Sequence, residues 1–372
     1  MIYIIGAALI KMAIILGFAI AMAAILTWME RRQSAMMQDR RGPERANLGP
    51  FKLWGLFHPL ADALKLVTKE DFVPPGAHRI LFVLAPVFAL VPVLLVFAVI
   101  PFGPPVCLEQ LGVVGPDLGQ CKSLEYLQVA HLDIGLLFVF AFASLAVYGA
   151  ALAGWSSNSS YGLLGGMRAS AQMFSYEITM GMSIMGALLV YGTLEPMALV
   201  EKQAALGQWG VVLQPLGFIL FFAAAIAENK RAPFDIPEGE SEIIGYFVEY
   251  SGTRFMMFYL GEFVEIVFIG CMLTTIFFGG WQLPGLFNDG LHWFGNIWAM
   301  PHWLVVVLRL ATFMVKVFVL CFLQLAIRWT VPRMRYDQLM MLGWKGLLPA
   351  SIINIIITAG IVLGVQAATA VP

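Results

Sequence analysis

The sequence predicts an all-α polytopic membrane protein of about eight transmembrane helices. A short interfacial helix is expected in the first cytoplasmic loop, and both termini are expected on the periplasmic side. Three observations lead there. Of the 372 residues, 60% are apolar and only 12% are charged, against about 25% charged in ordinary globular chains. A soluble domain of that composition would expose large aggregation-prone patches, which a bilayer removes. Apolar stretches of about 20 residues, the length that crosses a hydrocarbon core, recur along the chain, and Lys and Arg are confined to alternate loops between them.

The eight stretches are about 3–28, 80–101, 129–152, 174–194, 212–228, 255–279, 303–328 and 347–368, and 1–372 reads as a single integral membrane domain. The first is too long to be a removable signal peptide and lacks its flanks and cleavage site. Lys11 lies near its outer end, where it can snorkel. Segments 29–79, 153–173, 229–254 and 329–346 share one side. They hold Arg31, Arg32, Arg40, Arg41, Arg45, Lys52, Lys65, Lys69, Arg79, Arg168, Lys230, Arg231, Arg254, Arg333, Arg335 and Lys345, with Arg328 at the border. The opposite loops hold only Lys122 and Lys202. The basic side is expected to be cytoplasmic.

Within the first inside loop, Pro59–Lys69 reads as a short helix, with Pro59 in its first turn. Leu60, Leu64 and Val67 share one face, which suits a helix lying at the interface or packing on another subunit. The outer loop 102–128, rich in Gly and Pro, holds Cys107 and Cys121. A disulfide and two free thiols are both open readings there. None of the four cysteines forms a CxxC, the five histidines form no HExxH, and there is no GxGxxG or Walker sequence. The chain is therefore expected to bind no nucleotide, haem, iron–sulfur cluster or metal. The net charge of −1 argues for neither a nucleic-acid partner nor an acidic tail.

Polar groups at membrane depth are costly. Glu177 is expected to begin the fourth span and Glu228 to end the fifth, with Glu262 and Glu265 inside the sixth. Arg309 and Lys316, seven residues apart, share a face of the seventh. A structural ion pair or a snorkelling end group accounts for any one of them. Their recurrence over four helices favours a buried polar path, in which carboxylate pKa values can move by several units. The segment 228–249 is the densest. Asp235 and Pro237 read as a helix start, with Glu238 and Glu240 complementing its dipole. If the stretch is helical, Glu238, Glu242 and Glu249 lie near one face and repel, so that some are protonated or paired.

Several runs then resemble one family. Trp28–Arg32, Arg40–Pro43 with Asn47–Pro50, and Pro59–Lys65 look like the first cytoplasmic loop of the subunit-1/subunit-H family of proton-pumping NADH:quinone oxidoreductase, respiratory complex I. Gly154–Ser159, Gly166–Gln172 and Ser175–Glu177 resemble its second loop, Arg231–Asp235 and Glu238–Glu242 its third, and Arg328–Leu339 its fourth. The resemblance covers nearly the whole chain. It implies a respiratory-chain translocase subunit that binds no redox cofactor, with flavin and iron–sulfur clusters in partner subunits. It implies a place at the junction of the membrane and hydrophilic arms, where the chain lines a ubiquinone tunnel and holds a carboxylate funnel linking quinone reduction to proton translocation. Carried over by motif, Arg31, Arg40, Asp62, Arg231, Phe234, Asp235 and Arg328 belong to the quinone tunnel. Glu30, Glu177, Glu228, Glu238, Glu240, Glu242, Glu249 and Glu262 belong to the funnel, and Arg168 and Arg335 tie loops together. No residue of the chain is expected to be catalytic by itself. The implied partners are the other complex I subunits, the lipid bilayer and ubiquinone, in a bacterial cell inner membrane ahead of a mitochondrial one. Two departures stand out. Glu228-Asn-Lys-Arg231 replaces the usual Glu-Thr-Asn-Arg, which sets Lys230 beside the funnel, and the Cys107–Cys121 loop looks longer. The alternatives are the homologous piece of a membrane-bound hydrogenase or related reductase, and a secondary transporter, against which the lack of a clear internal repeat speaks.

Overall fold

Backbone amides in lipid find no water, so each apolar stretch must satisfy its own hydrogen bonds as helix. The computed structural model describes residues 2–46, 49, 53–107, 124–239, 242–287, 290–293 and 296–370. In chain order its helices are α1 (Ile2–Met37), α2 (His58–Thr68), α3 (Arg79–Leu95), α4 (Gly135–Ser156), α5 (Ser160–Tyr191), α6 (Pro196–Leu206), α7 (Gly210–Leu213), α8 (Pro215–Glu228), α9 (Gly252–Phe277), α10 (His302–Thr330), α11 (Tyr336–Met341) and α12 (Leu348–Ala370). Strands β1 (Val106–Cys107) and β2 (Leu124–Glu125) pair antiparallel. Strands β3 (Leu286–Phe287), β4 (Gly290–Trp293) and β5 (Asn296–Ala299) form a small meander in the loop after α9.

Among the described residues, seven helices are long and apolar enough to cross a membrane: α1, α3, α4, α5, α9, α10 and the run from α11 through a turn of π-helix into α12. The remaining stretch, 212–228, is broken. Gln214 (φ −133°, ψ 60°) separates α7 from α8, and α8 alone, with 14 residues, is about 21 Å long against a core of about 30 Å. The side chain of Gln214 occupies the break. Its Oε1 accepts from Asn354 Nδ2 (3.1 Å) and its Nε2 donates to Thr358 Oγ1 (2.9 Å), so α12 closes the gap.

Two loop expectations are corrected. Segment 153–173 is mostly helix, since α4 runs to Ser156 and α5 starts at Ser160. Glu177 therefore sits in the middle of α5 rather than at a helix start. At 32 residues, α5 is about 48 Å long and extends beyond a hydrocarbon core. Likewise α1 carries Glu30 and Arg31 on its continuing final turns.

Helix α9 is the centre of the bundle, packed against α1, α3 and α10 and buried on nearly all sides. Around it α5 packs on α4, α8 and α12. Small residues permit the closest crossings, as is common between membrane helices. A Cβ on Gly154 would lie 2.4 Å from the Gly162 carbonyl oxygen, and one on Gly149 would lie 2.6 Å from the Ala89 nitrogen. Outer faces are apolar and exposed, as at Ile10, Ile14, Ile356 and Leu363, which inverts the pattern of a water-soluble surface. In α2, Leu60, Leu64 and Val67 are between 53% and 59% exposed, so its apolar face is left open among the described residues.

At the far end of α9 the carbonyls of Phe278 (2.7 Å), Gly280 (3.0 Å) and Gln282 (2.6 Å) all accept from Lys316 Nζ. A cation there complements the C-terminal pole of the helix. Arg309 donates to the Leu286 carbonyl (3.3 Å). These two bases thus bind the end of α9 and the loop after it, rather than extending the acid path. Lys11 pairs with Glu125 (2.5 Å) on the same side. Cys271 and Cys321 are free and buried; Cys121 lies outside the described residues.

Candidate functional site

Helix α8 ends at Glu228, and Lys230 in a left-handed conformation (φ 54°) turns the chain back. Gln172 of α5 holds both sides of this turn: its Nε2 donates to the carbonyls of Ala227 (2.6 Å) and Phe234 (2.8 Å). The turn delivers Arg231 into the bundle, where it is only 7% exposed. Arg231 Nη1 donates to Glu30 Oε2 of α1 (2.7 Å), Nη2 donates to Glu262 Oε2 of α9 (3.3 Å), and the guanidinium lies 4.0 Å over the Phe263 ring. Arg328, at the end of α10, binds the other oxygen of Glu30 (2.5 Å). Asp235 is clasped by Arg333 (2.7 Å).

These groups enclose a cavity of about 850 Å³. Glu30, Arg231, Asp235, Glu238, Glu262 and Arg328 supply its charge, and Phe247, Phe255, Phe258 and Tyr259 supply an aromatic wall. Glu30 also borders a second cavity of about 400 Å³, lined by Arg31, Arg40 and Trp329. Arg31 in turn pairs with Asp62 of α2 (2.5 Å). Polar and apolar groups converging in one large concavity are the mark of a ligand site.

The loop groups around the cavity are perturbed. Burial, reinforced by Glu262, holds the Glu238 carboxyl well above the usual range, although Lys230 pulls the other way. Burial also lifts Asp235, against the opposing pull of Arg333. Burial works against the Lys230 charge, yet Tyr246 and the surrounding glutamates overcome it and raise its pKa. Lys230 donates to Tyr246 Oη (3.2 Å) and lies 5.2 Å over its ring.

The residues expected in the quinone tunnel separate into three groups. Arg231, Asp235 and Arg328 line the main cavity, Arg31 and Arg40 line the adjoining one, and Asp62 is held to Arg31. Phe234 lines neither; it is buried behind the turn, 6.3 Å from the Tyr176 ring. Among the expected acids, Glu30, Glu238 and Glu262 are in the main cavity. Glu228 borders a separate crevice, and Glu177 lies close enough to Glu228 to act on it electrostatically. The common face of Glu238, Glu242 and Glu249 does not form. Among the described residues of the segment only Ile236–Glu238 is helical, as one 3-10 turn, with turns at 242–243 and 246–249. Glu242 instead reaches outward to Arg168 (2.8 Å), which is the loop tie expected of Arg168. Glu249 lines neither cavity, and Glu240 lies outside the described residues. Arg335 pairs with its neighbour Asp337 (2.5 Å), so Arg333 is the residue that ties the fourth loop to the third. Gln172 and Tyr246 carry structural weight that their sequence positions did not signal, and Lys230 lies beside the acids as its place in the sequence suggested. Among the described residues no three His, Cys, Asp or Glu side chains gather as a metal site.

A multi-pass helical membrane protein with a charged, aromatic-walled cavity at one end of its bundle is thus the class defined by fold and site. The chain belongs to the NADH dehydrogenase family, whose sequence profile matches residues 10–359. It is 44% identical over 354 residues to the second of the H subunits of NADH-quinone oxidoreductase in Geobacter sulfurreducens, covering 95% of each chain. It is 42% identical over 351 residues to the NADH-quinone oxidoreductase H subunit of Syntrophotalea carbinolica, covering 94% of each. With the second such H subunit of Rhizobium meliloti it shares 40% identity over 355 residues, 95% of this chain and 96% of the relative.

Proposed function

We propose that this chain is the H-type membrane subunit of a bacterial NADH-quinone oxidoreductase, and that its main cavity is the chain's share of the ubiquinone site. The basic loops then face the cytoplasm, both termini face the periplasm, and the membrane is the cell inner membrane. The supporting observation is Arg231, held between Glu30 and Glu262 and exposed to a cavity of about 850 Å³. The aromatic side of that cavity suits a quinone ring and its apolar tail. Its guanidinium groups suit the negative charge that appears on a quinone oxygen as electrons arrive. Redox partners in neighbouring subunits supply those electrons, and this chain supplies position, field and protons.

The mechanism is electrostatic. Reducing one quinone to quinol takes two electrons and two protons. Charge entering the cavity acts on Asp235 and Glu238, whose carboxyls are already shifted by burial. In a low-dielectric site such charges couple strongly, so a change at the quinone passes to Glu262 and then toward Glu228 and Glu177. The relatives named above favour this reading over a hydrogenase component or a transporter.

The test is Glu228→Gln and Glu177→Gln in the assembled complex, with quinone reductase rate and proton translocation measured side by side. The expected result is quinone reduction that no longer drives translocation at the parent ratio. A variant unchanged in both rate and translocation removes that residue from the mechanism.

A further inference from the structure

The main cavity does not reach Glu228. Two small spaces lie between them. One, of about 10 Å³, is bordered by Glu262, Glu265, Lys230 and Tyr246. The other, of about 20 Å³, is bordered by Glu265 and Glu228 and is otherwise apolar, with Val93, Val139, Met180 and Phe221 in its wall. Glu262 borders the main cavity and the first space, and Glu265 borders the first space and the second. A water needs roughly 10–15 Å³, so each space has room for about one. Two atoms at the main cavity ask for such hydration: Glu238 Oε1 and Arg231 Nε are buried and accept or donate no hydrogen bond among the described residues.

We propose that Glu265 is a proton-relay residue joining the quinone cavity to Glu228, in the order Glu262, Glu265, Glu228. This rests on the function proposed above. Glu262 and Glu265 are three residues apart on α9, so they are neighbours on one face of the helix. Glu265 is the titratable side chain that borders both small spaces; the second space has no other titratable group besides Glu228. In the first step the O–H bond of a protonated Glu262 breaks, its proton crosses one water, and an O–H bond forms on ionised Glu265. In the second step Glu265 passes that proton to ionised Glu228. One negative charge moves back along the path each time, and no electron is transferred. The ammonium of Lys230 and the phenol of Tyr246 border the first space, so the charge that returns there meets a cation rather than apolar wall.

The experiment compares the assembled complex carrying Glu265→Gln, Glu265→Asp or Glu228→Gln with the parent. Proton translocation per NADH oxidised is read, and NADH oxidation by an artificial acceptor reports assembly. Glu265→Gln should lower translocation by about tenfold or more, and Glu265→Asp should restore most of it. Parent-like translocation in Glu265→Gln beside a loss in Glu228→Gln overturns the relay and leaves the proposed function standing. No loss in either overturns the relay and removes Glu228 from the mechanism. Equal losses in Glu265→Gln and Glu265→Asp show a packing role and overturn the relay. If Glu265→Gln does not assemble, redox-triggered infrared difference spectra of the parent and Glu265→Asp decide. A carboxyl band that shifts with Asp supports the relay, and identical spectra overturn it.

Discussion

Arg231 divides its terminal nitrogens between carboxylates of two helices, Glu30 of α1 and Glu262 of α9. Removing the cation leaves two buried acids facing each other, and breaking a buried pair costs about 3–5 kcal/mol. Arg231→Met should therefore lower the thermal midpoint of the purified complex sharply and abolish quinone reduction in whatever assembles. Arg231→Lys keeps the charge but loses the fork that spans both acids, so it should fall between parent and Met in both readouts. Glu238 gives a pH prediction with a definite sign. Burial, then Glu262, raises its pKa above the ordinary value of 4.5, so the folded protein keeps a proton that the unfolded chain has released. Its contribution is full below the ordinary value and is lost as pH rises through the raised one. Glu238→Gln mimics the protonated form, so its stability should fall less than the parent's as pH rises from 4.5. A parent-like slope of midpoint against pH would contradict this. The types of these residues were readable in the chain, but their partners were not. Glu30 and Arg231 are 201 positions apart, and they meet because α1 packs on α9 while Gln172 holds the turn after α8 against the bundle.

Helix ends were harder to read than helix middles. Eight apolar stretches announced spans through their length, and seven of them are long membrane-crossing helices among the described residues, whereas 153–173 is rich in Ser, Gly and polar residues and reads as a loop. It is helical because its glycines let α4 and α5 touch, with Gly154 against Gly162, and because Gln172 is satisfied by carbonyls of the next turn. Gly154→Ala should cost roughly 1–3 kcal/mol by overpacking, seen as a lower yield and thermal midpoint of the complex, while a parent-like midpoint would mean the two helices separate freely. At the opposite end of the bundle Lys316 binds three carbonyls after α9 and lies 4.5 Å from the Trp209 ring. Hydrogen bonds to charged groups contribute about 1.5–3 kcal/mol. Lys316→Met should destabilise by about 2–3 kcal/mol yet leave quinone reduction per assembled complex unchanged, because the cavity lies at the other end of α9. The break at Gln214 is signalled by Pro215, which disfavours helical geometry in the residue before it, but a single non-helical residue leaves the hydropathy unaltered, so the stretch 212–228 reads as one span.

For the molecule as a whole, the bilayer explains the apolar exterior and the positive loops, but the acids explain the interior. Charged groups from α1, α9, α10 and the 229–238 turn converge where the basic loops gather. The exposed apolar face of α2 lies beside them through the Arg31–Asp62 pair. Composition made the membrane class legible, and the loop motifs made the family legible. The cavity was not legible, because it is assembled from segments as distant as Glu30 and Arg333. Photolabelling of the assembled complex with an azido-ubiquinone decides whether this cavity is a quinone site. Label is expected on peptides spanning 228–262 and 26–45 of this chain, competed away by excess ubiquinone. Competable label confined to other subunits, or to the β3–β5 side of this chain, would contradict it.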